Sequence, residues 1–247
     1  MRPFRPQCSS QAFTVLDAIA LLALTGAFAT LIAPALQHDR ELSRRIQCRR
    51  NLGQLGVATH LYAEQNNWRL FTRTRVNGDW VGFNLPDSVF SQLTNLAGDR
   101  VIDCPNLHPF TMPGQVYERG GRSTAFQGMV IGYIYCGGVQ ETNMLERYGW
   151  TSPATTRDDP TLPLFVDLNG SGWGDGFWVV APHTRTGPFR LRGATYHTLQ
   201  AQMTPVDLGA EGGNICSLDG SVRWKPIAQM KRDNWIFKYY TEAKGIW

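Results

Sequence analysis

Residues 18–36 read AIALLALTGAFATLIAPAL, 19 residues without a charged side chain. As a helix rising 1.5 Å per residue, the run is roughly 28 Å long, close to the hydrocarbon thickness of a bilayer. Leu, Ala, Ile and Phe occupy every side of it, so no polar face is left for water. A buried core helix does not need this length. A cleaved secretory signal has a shorter apolar core, roughly 7–15 residues, with a small-residue cleavage site behind it. Here the run passes into a stretch bearing Arg40, Arg44, Arg45, Arg49 and Arg50, which reads as the surface of a continuing helix. The expectation is a retained anchor.

Working outward towards the C-terminus, the helical period holds from Gln37 to about Asn67. Cys48, Leu52, Leu55, Thr59 and Tyr62 recur at spacings of three and four and share one face. Arg45 and Arg49 fall beside the upper end of that stripe, and Gly53 and Gly56 are local weak points. Anchor and amphipathic half together make one helix of roughly 80 Å. The stripe is the face that a globular head would cover.

The whole chain has 247 residues, 43% hydrophobic and 18% charged, which suits one domain plus an anchor. Its net charge of +4 comes from 24 basic and 20 acidic residues, too balanced for a nucleic-acid partner. With 25 Gly, 14 Pro and 8 Trp, the remainder leans towards turns and β-structure. Beyond Asn67, Asn77-Gly78 marks a turn, Val81–Leu85 an extended piece, and Ser88–Leu96 a short helix capped by Asp87 or Ser88. Strands are expected at Val101–Cys104, Met129–Tyr135, Leu162–Asp167 and Phe177–Val180. The clearest local signal is a hairpin, Ile215–Leu218 and Val222–Trp224, turning on a two-residue Asp219-Gly220 connection. The tail Met230–Trp247 reads as a short helix or a strap, with Trp235, Phe237, Tyr239 and Tyr240 covering the domain. The fold class expected is α+β: a long N-terminal helix packed on a small antiparallel β-sheet head.

The residues before the anchor carry a pattern of their own. A polar leader, MRPFRPQCSSQA (residues 1–12), gives way to Phe13-Thr14 and, at the rim of the apolar run, to Asp17; Pro34 lies near the far end. An ionised carboxylate at that rim is costly in lipid unless paired. Cleavage between Ala12 and Phe13 would free an ammonium that can pair with it. This arrangement resembles the N-terminus of type IV pilins and type II secretion pseudopilins. The resemblance implies a prepilin peptidase that cuts before Phe13 and methylates its amine, and an Asp17 that pairs with a neighbouring subunit's terminus during assembly. Two positions depart from that pattern: Ala12 stands where Gly is usual, and Asp17 where Glu is usual. Residues 44–71, RRIQCRRNLGQLGVATHLYAEQNNWRLF, resemble a stretch of the large bacterial prepilin-like families. DCP at Asp103–Pro105, GYIYCGG, PLFVDLNG and GGNICSLDGSVRW follow in the same order; where those families often carry a His before the DG turn, this chain has Gly209.

The resemblance implies a leader (1–12), a long pilin-like helix (13–67, membrane-spanning about 18–36) and a head (68–247). It implies a structural, non-enzymatic subunit of a pilus-like or pseudopilus-like filament. Its partners would be copies of itself or other pilin-like subunits, the prepilin peptidase, an inner-membrane platform with its ATPase, and membrane lipid. The head would be extracytoplasmic and the filament periplasmic or at the cell surface. Charge leans the other way: Arg2 and Arg5 precede the anchor, five Arg against Asp39 and Glu41 follow it, and the small excess beyond it would by the positive-inside tendency place the head in the cytoplasm. A second function class is a single-span tethered binding domain that never polymerises, with Trp173, Phe177 and Trp178 stacking on sugars.

Loss of the leader removes Cys8 and leaves four cysteines, an even number for a head in an oxidising compartment. Cys48, on the stripe, is expected to bridge to Cys104 and staple helix to head; four unpaired buried thiols are the alternative. Without a C-x-x-C pair, and with His108 alone near a cysteine in sequence, a zinc site is not expected. Asp167, Asn169, Ser171 and Asp175 copy the first half of a calcium loop, though Trp178 stands where the closing Glu belongs. A Gly-rich turn accounts for the same spacing. Apart from that calcium reading, no cofactor is expected. His60, His108, His183 and His197 are scattered and frame no nucleophile.

Overall fold

In the computed structural model, residues 14–72, 82–107, 128–139, 151–174, 176–194 and 204–230 are described. Short pieces at 110–112, 115–117, 122–123, 234–235 and 244–245 are described with them. Ala12, Phe13, Asp175, His108, His197 and the Asn77-Gly78 turn lie outside these residues, as do the side chains of Trp173, Phe177 and Trp178.

Helix α1 runs unbroken from Val15 to Gln65, 51 residues with Pro34 inside. It starts on a capping box: Thr14 Oγ1 accepts from Asp17 N at 3.3 Å, and Asp17 Oδ2 accepts from Thr14 N at 2.9 Å and from Thr14 Oγ1 at 2.6 Å. It stops where Asn66 Nδ2 donates to Tyr62 O and where Asn67 and Trp68 take positive φ. The two halves of this rod live in different surroundings. Val15, Leu16 and Leu22 are more than 70% exposed, and Ile19, Leu21, Leu24, Phe28, Ile32 and Leu36 are exposed too. Cys48, Leu52, Leu55 and Thr59 are completely buried. The first half is long and apolar enough to cross a membrane, and none of it is covered by the head.

The expected stripe is therefore the face that packs on the head. Against it lies a four-stranded antiparallel sheet in the order Tyr133–Tyr135, Pro163–Asp167, Gly212–Ser217, Val222–Pro226. α1 packs on the two central strands and on the Val222–Pro226 edge, while α2 (Asp87–Ala97) packs beside it. The second sheet is ordered Gly187–Ala194, Gly176–Thr184, Gly170–Gly174, Lys244–Gly245, Asn234–Trp235. Smaller pairings join Asn84–Leu85, Gly128–Val130 and Arg122–Ser123, and Phe110–Met112 with Gln115–Tyr117. The architecture is α+β.

Several local expectations change. Val101–Cys104 is not a strand: a 3-10 turn spans Asp99–Val101, and Leu107 N then donates to Cys104 O across a further turn. Pro105 brings no N–H to a ladder, so extension there has no partner to gain. Met129–Tyr135 divides into Gly128–Val130 and Tyr133–Tyr135, because Ile131 N and Gly132 N leave the ladder for Phe83 O and Ile102 O. Pro86, not Asp87 or Ser88, is the N-cap of α2, and it offers no side-chain cap. The Asp219-Gly220 hairpin closes around three residues, since Ser217 N donates to Ser221 O and Gly220 N to Ser217 O, with Gly220 alone at φ +81°. That is a turn finished by a left-handed glycine, and it puts Leu218 into the core while Leu218 O contacts His60 Nε2 at 2.7 Å. In the tail, Asn234–Trp235 and Lys244–Gly245 are strands added to the second sheet; no helix is seen among its described residues.

Candidate metal centre

Four elements converge where α1 enters the head. Cys48 comes from the stripe of α1, and Cys104 from the loop after the 3-10 turn. Asp167 ends the Pro163–Asp167 strand, and His183 sits near the end of Gly176–Thr184. One ligand atom from each lies within 4.8 Å of all the others, and all four residues are buried. Tyr133 is paired in register opposite Asp167, which puts both side chains on one side of the sheet. Gly132 lets the Cys104 loop close down on this sheet: a Cβ there would stand 2.6 Å from Cys104 N and 2.9 Å from Asp103 Cα. Asn51 Nδ2 holds the same loop to α1 through Asp103 O at 3.0 Å.

Around the four is a shell of polar contacts. His183 Nδ1 lies 2.6 Å from Glu41 Oε1, and His183 Nε2 lies 3.2 Å from Asp167 Oδ2 and 3.8 Å from Cys104 Sγ. Glu41 also accepts from Asn106 Nδ2 at 2.8 Å and Arg45 Nε at 3.1 Å. Arg45 bonds Glu211 and Thr184 O, and its guanidinium lies over Trp224, whose ring meets His183 edge-on. Asp167 Oδ2 accepts from Asn214 N at 2.6 Å and Nδ2 at 2.9 Å. Asp167 Oδ1 and Tyr133 Oη, both buried, have no hydrogen-bond partner.

Charge follows from this packing. Burial works to raise the Glu41 carboxyl, but His183, Asn106 and Arg45 outweigh it and hold it below the usual value. Burial disfavours a charged imidazole at His183, yet Asp167 and Cys104 at Nε2 keep its pKa well above the ordinary one. Cys48 is pushed far up by burial and by Cys104 beside it. Burial opposes ionisation of Cys104 as well, but Cys48 and His183 bring it down to about 7. Burial and the neighbouring Cys48, Cys104 and Asp167 push Tyr133 well up.

Chemically, Cys104, His183 and Glu41 are ordered like a thiol, a base and its orienting carboxylate. Cys104 and His183 are both wholly buried, so no substrate carbonyl can reach them in this conformation. A cleft of about 380 Å³ lies elsewhere among the described residues, lined by Arg69, Leu70, Thr72, Gly138, Val139, Ala154 and Thr155, without a thiol, imidazole or carboxylate. What the arrangement does offer is two sulfurs, an imidazole and a carboxylate facing one another in a dry space, the ligand types of a tetrahedral metal site.

The sequence-based candidates fare differently. Cys48 and Cys104 are brought together as expected of a staple, but both are free thiols, as are Cys136 and Cys216. Asp167, Asn169 and Ser171 lie on a strand–turn–strand segment passing from one sheet to the other. Asp167 faces His183 and Asn214, and Asn169 Nδ2 donates to Gly212 O. Asp17 is occupied with Thr14 in the capping box, and Pro34 lies in the exposed half of α1. Nothing in the sequence spacing groups Glu41, His183 and Tyr133. Period two gives no signal for His183, because positions 179–184 are buried on both faces of the strand. Glu41 stands seven residues before Cys48, on the stripe's own side of the helix. No family model, no curated protein and no solved structure matches the chain.

Proposed function

We propose that the chain is a structural subunit of a filament of the type IV pilus or type II secretion pseudopilus kind, held in the membrane and assembled through α1. The observation that carries this reading is the division of one 51-residue helix into a head-packed half and an uncovered apolar half. The uncovered half exposes nine large apolar side chains from Val15 to Leu36, a surface that water does not tolerate and that lipid or other helices must cover. Ala23, Gly26, Ala27 and Ala29 supply small positions where neighbouring helices can approach closely. Asp17 caps the start of the helix with Thr14 and also stands at the rim where, on this reading, a neighbouring subunit's amine pairs with it. The leader-to-Pro34 pattern supports the same reading.

On this reading a peptidase removes residues 1–12, a membrane platform with an ATPase stacks the rods, and the heads form the filament surface outside the cytoplasm. Mass analysis of the native N-terminus tests it. The expected result is N-methylated Phe13, with filaments in the wild type and none in Asp17→Ala. An intact Met1 on a chain that sediments singly after gentle extraction would overturn it in favour of a tethered domain.

A further inference from the structure

We propose that Cys48, Cys104, Asp167 and His183 form a structural zinc site that fastens α1 to the head. The proposal stands on the geometry of the cluster and on an orphaned atom within it, and does not depend on whether the chain polymerises.

Tetrahedral zinc, with bonds of about 2.3 Å to sulfur and about 2.0–2.1 Å to nitrogen or oxygen, has edges of about 3.6 Å for S···N and about 3.3 Å for N···O. Cys104 Sγ to His183 Nε2 is 3.8 Å, and His183 Nε2 to Asp167 Oδ2 is 3.2 Å, with Cys48 Sγ inside the same 4.8 Å limit. These two edges match such a tetrahedron, and all four ligand atoms lie within 4.8 Å of one another. Asp167 Oδ1 is a buried carboxylate oxygen with no partner, a costly arrangement unless a cation or donor fills the space before it. A Cys48–Cys104 disulfide would leave that oxygen as it is.

The surrounding shell fits the same occupant. Glu41 holds His183 Nδ1, which leaves Nε2 to face the metal, the usual way a carboxylate orients a zinc-bound imidazole. Asn214 fixes the Asp167 carboxylate through Oδ2, the oxygen that also faces His183 Nε2, and Oδ1 beside it has no protein partner. Tyr133 Oη, unpartnered and close to both sulfurs, is a donor that a bound thiolate can use. Binding releases one proton from each thiol and, where the imidazole is charged, one from His183 Nε2, all to solvent. Four protein ligands without an exposed position mark a structural site, since a catalytic zinc keeps one position for water. The donor set, with two thiolates and an imidazole, selects zinc over calcium or magnesium.

The test uses the full chain purified in detergent without chelator. Elemental mass spectrometry is expected to find about one zinc ion per chain, the closed-site stoichiometry. Replacing zinc by cobalt should give thiolate-to-cobalt charge-transfer absorption, a readout that needs no variant. Cys48→Ser and His183→Gln should lose the metal. Glu41→Gln, which alters only the orienting shell, should weaken zinc binding by about 10–100-fold. Cys136→Ser should keep stoichiometric zinc. Failure to take up zinc after reduction and incubation with zinc chloride would overturn the proposal. So would a Cys48–Cys104 crosslinked peptide in native material, or cobalt spectra without thiolate bands.

Discussion

Replacing Glu41 by Ala tests whether the polar joint between rod and head is held by charge. Glu41 is 1% exposed and its two oxygens take His183 Nδ1 at 2.6 Å, Asn106 Nδ2 at 2.8 Å and Arg45 Nε at 3.1 Å. Truncation removes three acceptor contacts at once and leaves a buried imidazole and a buried amide facing a void. Each charge-assisted bond taken singly contributes about 1.5–3 kcal/mol net to stability, but the three share one carboxylate whose own burial opposes them. The better guide is the cost of removing one partner from a buried pair, about 3–5 kcal/mol. Arg45 keeps Glu211 and Thr184 O, so its own loss is the smaller part. Denaturant unfolding of the metal-free, detergent-solubilised chain, followed by tryptophan fluorescence, should show the midpoint shift, with Trp224 stacked on Arg45 as a local reporter. A loss below about 1 kcal/mol, the range of an exposed ion pair, would refute the claim that this carboxylate is buried and fully engaged.

Three further outcomes follow from the packing. Leu55→Ala, at a fully buried stripe position, should cost about 2–5 kcal/mol in the same unfolding assay, whereas Leu22→Ala in the uncovered half should leave head stability unchanged. Gly132→Ala forces a methyl against the backbone of Asp103 and Cys104, so it should cost about 1–3 kcal/mol and reduce zinc retention, measured by elemental analysis. Burial is the largest single influence on Asp158 and raises its pKa, but the bonds it accepts from Ala154 N, Thr155 N and Thr155 Oγ1 together outweigh it and bring the pKa below the ordinary 3.8. The contribution of a lowered carboxyl is present above the unfolded value and is lost as pH falls through the folded one. Carboxyl NMR should place the Asp158 midpoint below 3.8, with amide protection at Ala154 and Thr155 disappearing as it protonates.

The long helix was legible because its two periods are local: an unbroken apolar run, then a repeat of three and four that put Cys48, Leu52, Leu55 and Thr59 on one face. The hairpin at 215–224 was legible for the same reason, although its turn type was not. Leu218 is drawn into the core, and Leu218 N bonds Leu162 O, so a long-range contact chose a three-residue loop over the shorter one. The cluster could not be read from spacing. Its ligands sit at 48, 104, 167 and 183 on four separate elements, and only the order of the sheets brings them together. Glu41 looked like one more charge among the arginines, because nothing local says that its neighbour across space is a histidine 142 positions away.

The position of that cluster along α1 bears on how the molecule would carry a load. The part of α1 from Val15 to Arg40 lies outside the head, and the part from Glu41 to Ala63 is gripped by it at intervals. Tension drawn down the rod therefore reaches the head first at Glu41, Arg45 and Cys48, and acts along the helix axis, in shear across many side chains, instead of peeling them one by one. A cross-link among Cys48, Cys104, Asp167 and His183 at that entry point would act like a rivet at the mouth of a socket, where slippage must begin.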